Sequence, residues 1–247
     1  MNRCCIVVPV YNHPGCLPWL VSNLRDTGLY TLLVNDGSDS HCSDLMRDIC
    51  AVEPWITLIE RDINGGKGAA VKTGLRAAAE LGYSHALQLD ADGQHDLADI
   101  PKMLVLAQSN PLAVISGVPN YCDAPRIRFY GRYLTHVWVW INTLSLEIKD
   151  SMCGFRIYPL ASTLRVLDSN YTGDRMDFDP EILVRLHWDG VRVIQLRTKV
   201  TYPRDGVSHF RGLRDNVLIS WMHTRLFFGM LHRLPSLLLR NRRAYVQ

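Results

Sequence analysis

Two carboxylates two residues apart, Asp90 and Asp92, stand in the run Asp90-Ala91-Asp92-Gly93-Gln94-His95, directly after the apolar stretch Ala86-Leu87-Gln88-Leu89. Oxygen donors at that spacing suit a divalent cation such as Mg2+ or Mn2+, which takes few protein ligands and shares its shell with substrate phosphates. The same spacing also serves as a polar turn, so its neighbours have to decide. In Asp62-Ile63-Asn64-Gly65-Gly66-Lys67-Gly68, glycines and one ammonium group lead into a helix-like segment. Free backbone amides at a helix start stabilise a phosphate-bearing ligand. The segment is no P-loop, because G-x-x-x-x-G-K-[ST] is not met. In Asn35-Asp36-Gly37-Ser38, Asp36 is placed to accept a hydrogen bond from a base or ribose, with Gly37 permitting a tight turn; the alternative is a capped turn opening a helix. Finally, Met176-Asp177-Phe178-Asp179-Pro180-Glu181 precedes a helix-like stretch containing Arg185. Asp179 there is either a general base for an acceptor hydroxyl or the helix N-cap ahead of Pro180. A phosphate acceptor is already ionised and needs no base.

The elements that must hold these residues follow from periodicity. Short apolar, β-branched runs at Cys5 to Val10, Thr31 to Asn35, Ile56 to Glu60, Ala86 to Leu89, Ala113 to Gly117 and Val191 to Leu196 read as buried strands. Helix-like segments alternate with them, the clearest being Lys67 to Leu81, closed by Gly82. Alternation predicts an α/β fold: a mostly parallel sheet with helices on both faces, binding ligands beyond the carboxyl ends of its strands. The candidate residues all follow strands or open helices. After Gly117 the pattern loosens into a basic aromatic stretch, Arg126 to Tyr133, and a Trp- and Val-rich helix is expected over Leu134 to Leu146.

Four motifs in order, Val8-Pro9-Val10-Tyr11-Asn12, Asn35-Asp36-Gly37-Ser38, Asn64-Gly65-Gly66-Lys67-Gly68 and Asp90-Ala91-Asp92-Gly93-Gln94-His95, resemble family 2 glycosyltransferases. The likeness is greatest to polyprenyl-phosphate sugar transferases of the dolichyl-phosphate mannose synthase type. It is dense in the first half and scattered in the second. It implies a GT-A (Rossmann-like) fold and an inverting transfer from a nucleotide-diphosphate-sugar to a lipid-linked or other membrane-associated acceptor. It sets Pro9, Tyr11, Asn12, Asp36, Gly37 and Lys67 around the nucleotide-sugar, and Asp90, Asp92 and Gln94 around Mg2+ or Mn2+. Asp150-Ser151-Met152-Cys153-Gly154-Phe155-Arg156 looks like the acceptor-side loop, placing Arg156 near the reacting sugar; read without the family, Cys153-Gly154 is a tight turn with a buried thiol. Tyr202 to Phe210 is similar to a segment whose basic residue, here Arg204, contacts donor or acceptor phosphate; read without the family it is a surface loop with a proline turn. The resemblance offers Asp179 as the base, although Phe178-Asp179 replaces the usual Glu-Asp pair.

Competing functions are a non-catalytic nucleotide-sugar-binding or scaffold protein, against which the intact Asp90 and Asp92 argue, and a sugar-1-phosphate nucleotidyltransferase. The latter expects a glycine-rich basic loop after the first strand, where this chain has Tyr11-Asn12-His13-Pro14-Gly15. No G-x-G-x-x-G follows that strand either, which disfavours a dinucleotide-binding dehydrogenase.

At 247 residues and 47% hydrophobic content, one large α/β domain is expected, with a catalytic unit over 1–212 and a basic, apolar helical segment over 213–247. Net charge is only +3, so no nucleic-acid partner is indicated. Seven cysteines without C-x-x-C spacing read as reduced thiols. No export signal and no membrane-spanning stretch are expected. Between Arg204 and Arg243, eight arginines face only Asp205 and Asp215; the segment either packs on the catalytic domain with its arginines solvated or presents them with its apolar side chains to an anionic leaflet, and the second reading makes a membrane surface the partner of a cytoplasmic protein held peripherally at the inner face of the plasma membrane. The apolar residues of this segment do not gather on one wheel face, and Pro235 predicts a break into two helices.

Overall fold

The computed structural model describes residues 3–120, 126–201 and 212–244, with side chains described over 3–120, 132–201 and 212–240. Strands β1 (Cys4–Val10), β2 (Thr31–Asp36), β3 (Ile56–Arg61), β4 (His85–Gln88), β5 (Val114–Asn120), β6 (Arg156–Pro159) and β7 (Val193–Lys199) form one sheet in the order β3-β2-β1-β4-β6-β5-β7. Helices α1 (Leu17–Arg25), α2 (Ser40–Val52), α3 (Lys67–Glu80), α4 (Ile100–Ser109), α5 (Arg126–Thr143), α6 (Leu160–Ser169), α7 (Phe178–Trp188) and α8 (Gly212–Ala244) surround it. Two apolar clusters lie on opposite faces. Val7 and Val34 point with Ala70, Leu75, Leu183 and Met222 into one, and Ile6 and Val8 with Leu20, Met46 and Met103 into the other. Successive residues of β1 thus feed both cores, as a strand covered on both sides requires.

The pairing is parallel except at β6, which runs antiparallel to both β4 and β5. β6 was not anticipated. Its four residues include Arg156 and Tyr158, so no apolar run announces it, yet all four are buried. The expected helix after Gly117 begins earlier, at Arg126, and ends at Thr143, where Leu144 turns into positive φ (52°).

The two-helix expectation for the C-terminal segment is corrected: α8 is a single helix of 33 residues with Pro235 inside it. Packing on both sides of the proline offsets the lost backbone bond. Met230 and Leu237 are buried, and Arg240 donates to the backbone carbonyls of His187 and Trp188 at the end of α7. The wheel pattern is also explained, because the apolar residues divide between two faces. Ile219, Met222, Leu226, Met230 and Leu237 face α5 and α7. Leu213, Val217, Trp221, Phe228, Leu231, Leu238 and Leu239 are exposed and, at 100° per residue, fall within an arc of roughly 100° on the other side. Among the described residues, no helix is long and apolar enough to cross a membrane.

Candidate active site

β1, β2 and β4 are adjacent and parallel, so the residues after them converge at one sheet edge. After β1, Asn12 takes positive φ (52°), its N–H donates to Ser38 Oγ (3.1 Å) and its Oδ1 accepts from Asp39 N (2.8 Å). This pins the end of β1 to the turn after β2. Gly37 has φ +67°, and a Cβ there would sit 2.6 Å from Asn64 N, so only glycine lets this turn meet the next loop. Pro9 and Tyr11 are half-buried along the same edge.

Asp36 is buried and organises the glycine loop. Its Oδ1 accepts from Arg61 Nε (2.9 Å) and Gly65 N (3.0 Å), and its Oδ2 from Asn64 Nδ2 (3.1 Å) and Gly66 N (2.7 Å). Four donors fill a carboxylate's accepting positions. The contact to a base or ribose expected of Asp36 would therefore have to displace one of them. Its role in this structure is to fix the loop that launches Lys67.

Lys67 is the first residue of α3. Its Nζ lies 2.8 Å from each Asp90 oxygen and 2.7 Å from Asp179 Oδ2. The angle makes a hydrogen bond only toward Asp90 Oδ2, which leaves Asp90 Oδ1 buried without a hydrogen-bond partner. Burial works against the ammonium charge, but Asp179 and Asp90 outweigh it and hold the Lys67 pKa above its ordinary value. Burial likewise opposes charge on Asp90, yet Lys67 and His95, whose Nε2 is 3.6 Å away, keep that carboxyl well below the usual range. Asp92 shifts the other way, raised by burial and then by the charge of Asp90. Asp92 Oδ1 accepts from Gln94 N (3.0 Å), closing a turn over Gly93 (φ +69°), whose absent Cβ would lie 3.3 Å from the Trp19 ring. Gln94 is half-buried, and its backbone oxygen accepts from Thr201 N (2.9 Å). Arg204 lies outside the described residues.

Asp179 is not the helix cap. Asp177 occupies that position in α7, and Asp179 follows inside the first turn. Its buried carboxylate points into the site, to Lys67 and to Gln88 Nε2 (3.1 Å from Oδ1). Arg156, expected beside the reacting sugar, is instead fully buried. It donates to Asp179 O (2.7 Å), Ser151 O (2.6 Å) and Tyr158 OH (3.2 Å), and Tyr158 OH donates to Gln88 Oε1 (3.2 Å). A buried arginine must direct its donors inward; Nη1 and Nη2 find partners while Nε has none, and through them Arg156 braces Asp179 from behind. Gln88 escaped notice because it reads as an ordinary strand residue, and Tyr158 because no pattern announces the strand that holds it. Gly154 has a role beyond a turn: a Cβ there would come within 2.6 Å of both Asp90 oxygens and 2.7 Å of Lys67 Nζ.

No group of three or more His, Cys, Asp or Glu close enough to hold a metal occurs among the described residues. The site still fits a divalent cation in the manner of Mg2+, with one or two carboxylates and the remaining shell from substrate oxygens and water. Two neighbouring carboxylates, Asp90 and Asp92, that repel one another are what such an ion would relieve.

Against known proteins, the model of "Glycosyl transferase family 2" matches residues 5–170, the span from β1 to α6 that carries the motifs above. The chain belongs to this family. Relatives include the undecaprenyl-phosphate mannosyltransferase of Micrococcus luteus, 29% identical and covering 85% of this chain and 88% of the relative. The UDP-N-acetylglucosamine–dolichyl-phosphate N-acetylglucosaminyltransferase of Methanococcus voltae is 25% identical over 92% of this chain and 94% of its own length. Among solved structures, glucosyl-3-phosphoglycerate synthase of Mycobacterium tuberculosis with Mn2+, UDP and phosphoglyceric acid superposes with TM-score 0.63 at 14% identity, over 93% of this chain and 78% of that one. The fold is GT-A. The family match ends before α7 and so does not reach Asp179 or α8.

Proposed function

We propose that this family 2 enzyme transfers a hexosyl group from a nucleotide-diphosphate-sugar to a lipid-borne phosphate, with inversion at the anomeric carbon. The observation that carries the reading is the charge cluster of Asp90, Asp92, Lys67 and Asp179 at the carboxyl end of the sheet. The relatives named for undecaprenyl phosphate and dolichyl phosphate as acceptors support the lipid phosphate. A divalent cation, Mg2+ or Mn2+, held by Asp90 and Asp92 with Gln94 beside them, would supply positive charge to the departing diphosphate.

The chain's own residues do the rest. Asp36 fixes the glycine loop, which sets Lys67 beside the carboxylates where the diphosphate would bind. An acceptor phosphate oxygen bonds to the anomeric carbon from the face opposite the diphosphate, the carbon–oxygen bond to the diphosphate breaks, and its electron pair leaves with the nucleoside diphosphate. Since that nucleophile is already ionised, Asp179 serves by holding Lys67 in place and not as a base. Pro9, Tyr11, Asn12 and Gly37 shape the nucleotide side, and inversion rests on the family resemblance.

The exposed stripe of α8 extends the reading to a membrane surface. From Leu213 to Leu239 it runs about 39 Å along the helix, bordered by the exposed Arg214 and His232. A stripe of this kind suits an anionic leaflet, where each nearby basic residue adds about 1 kcal/mol. It would hold the enzyme peripherally at the cytoplasmic face, beside its acceptor.

The test is product analysis with UDP- and GDP-sugars, Mn2+ or Mg2+, and a polyprenyl phosphate in detergent or vesicles. The reading expects release of nucleoside diphosphate together with a glycosylated lipid phosphate that is labile to mild acid. Donor binding without turnover on any lipid phosphate would support a binding protein instead.

A further inference from the structure

The position of Lys67 raises a question that the transfer chemistry does not answer. A lysine meant only to grip a diphosphate would project toward it. Here the ammonium sits between two carboxylates from different parts of the chain, Asp90 after β4 and Asp179 in α7. The surroundings enforce that place. Gly66, at φ +105°, packs so tightly on Asp174 and Arg175 that a Cβ would lie 2.6 Å from each, and Gly154 leaves no space for a Cβ beside Lys67 Nζ and Asp90. Gln88 and Arg156 hold Asp179 from the far side.

We propose that Lys67 is a built-in competitor of the divalent cation for Asp90, so that the metal binds tightly only when a diphosphate arrives to take the ammonium. This rests on the metal reading above. With no nucleotide present, a cation approaching Asp90 meets an ammonium 2.8 Å from both carboxylate oxygens and must displace it or accept a repelled position. A bound diphosphate offers Lys67 a second anionic partner, so Asp90 is released without stranding a charge. Metal and donor then enter as a coupled pair, and the ion is given up again when nucleoside diphosphate leaves. Lys67 is in this sense a positioning residue acting through Asp90.

The experiment measures Mn2+ binding by calorimetry or by the electron paramagnetic resonance of free Mn2+, with MnCl2 alone and again with saturating UDP or GDP. The proteins are wild type, Lys67→Met and Lys67→Met/Asp179→Asn, each checked for cooperative unfolding. The double variant removes one positive and one negative charge, so its net charge is unchanged and any gain reports the unmasking of Asp90. It also avoids the unpaired Asp179 that could unfold the single variant. Both variants should bind Mn2+ alone about tenfold more tightly than wild type or better, a size ordinary for coupled sites. The enhancement by nucleoside diphosphate should shrink by the same factor, since coupling is reciprocal. If wild type takes up Mn2+ with UDP or GDP while the folded double variant binds Mn2+ alone no more tightly than wild type, the competitor role is wrong and the metal site stands. If wild type takes up no Mn2+ under any of these conditions, the metal reading itself falls and the competitor role with it.

Discussion

Glu181 and Arg225 meet in a two-point ion pair across α7 and α8, with Nη1 3.1 Å from Oε1 and Nη2 3.0 Å from Oε2. Glu181 is fully buried and also accepts from Arg185 and from Gly173 N. The C-terminal helix is thereby wired into the core and is no detachable tail. Arg225→Met should destabilise the fold by about 2 to 4 kcal/mol in urea unfolding, because it leaves a buried carboxylate with only part of its neutralising charge. Removing everything after Gly212 should abolish cooperative unfolding, since Met222 and Leu226 leave the core with it.

Asp92→Asn should keep the fold and lower turnover by roughly a hundredfold or more, the usual cost of removing one charge-stabilising group from a transfer site. Asp90→Asn should do the same, with weaker donor binding because the ion that would bridge to the diphosphate is lost. Assays across a Mn2+ titration check this; undiminished turnover of both folded variants in chelated buffer would dismiss the metal site.

Asp179→Asn separates the two acceptor chemistries. With a phosphate acceptor the variant should lose about tenfold or less and keep the shape of its pH–rate curve, because the change acts only by loosening Lys67. A hydroxyl acceptor would make the loss a hundredfold or greater, with the acidic limb of the curve altered.

Much of this site was legible because chemistry and topology coincide in the first half. Asp36, Lys67, Asp90 and Asp92 each follow a strand or open a helix, and a parallel sheet brings such positions to one edge. Residues that act through tertiary contact left no such trace. Arg156 and Tyr158 lie in a four-residue strand without an apolar signal, and the direction of Asp179 depends on where α7 begins relative to Lys67, more than a hundred residues away. The C-terminal helix misled for a related reason: a wheel with two apolar faces looks like one with none.

Stability should depend on pH through two buried histidines. His187 is pushed down to about 4 from 6.5, by burial and then by the nearby charge of Arg240, and His223 to about 4 by burial. Both contribute their full stability above the unfolded value of 6.5, where neither state is protonated. As pH falls from 6.5 toward 4 the unfolded chain binds protons that the folded chain refuses, and up to about 3 kcal/mol per residue is lost. Urea unfolding between pH 7.5 and 4.5 should show the decline, and His223→Gln should flatten it. Equal slopes for wild type and variant would remove His223 from this account.

The exposed stripe of α8 can be tested without touching the core, which truncation cannot do. Trp221 and Phe228 are 60% and 65% exposed on the face opposite Met222 and Leu226, so Trp221→Glu/Phe228→Glu should unfold at nearly the same temperature as wild type. Each change replaces apolar contact area with a charge repelled by an anionic surface, so the two effects act in one direction on membrane affinity and barely at all on folding. Wild type should sediment with vesicles containing anionic lipid, less so as salt rises, because the bordering Arg214 acts through a screened field. The double variant should stay in the supernatant while still binding donor. Turnover on a short-chain, water-soluble polyprenyl phosphate should be unaffected, whereas turnover on the same headgroup presented in vesicles should fall. Equal sedimentation of both proteins would assign membrane contact to another surface, and failure of wild type to sediment at low salt would remove the membrane role of α8.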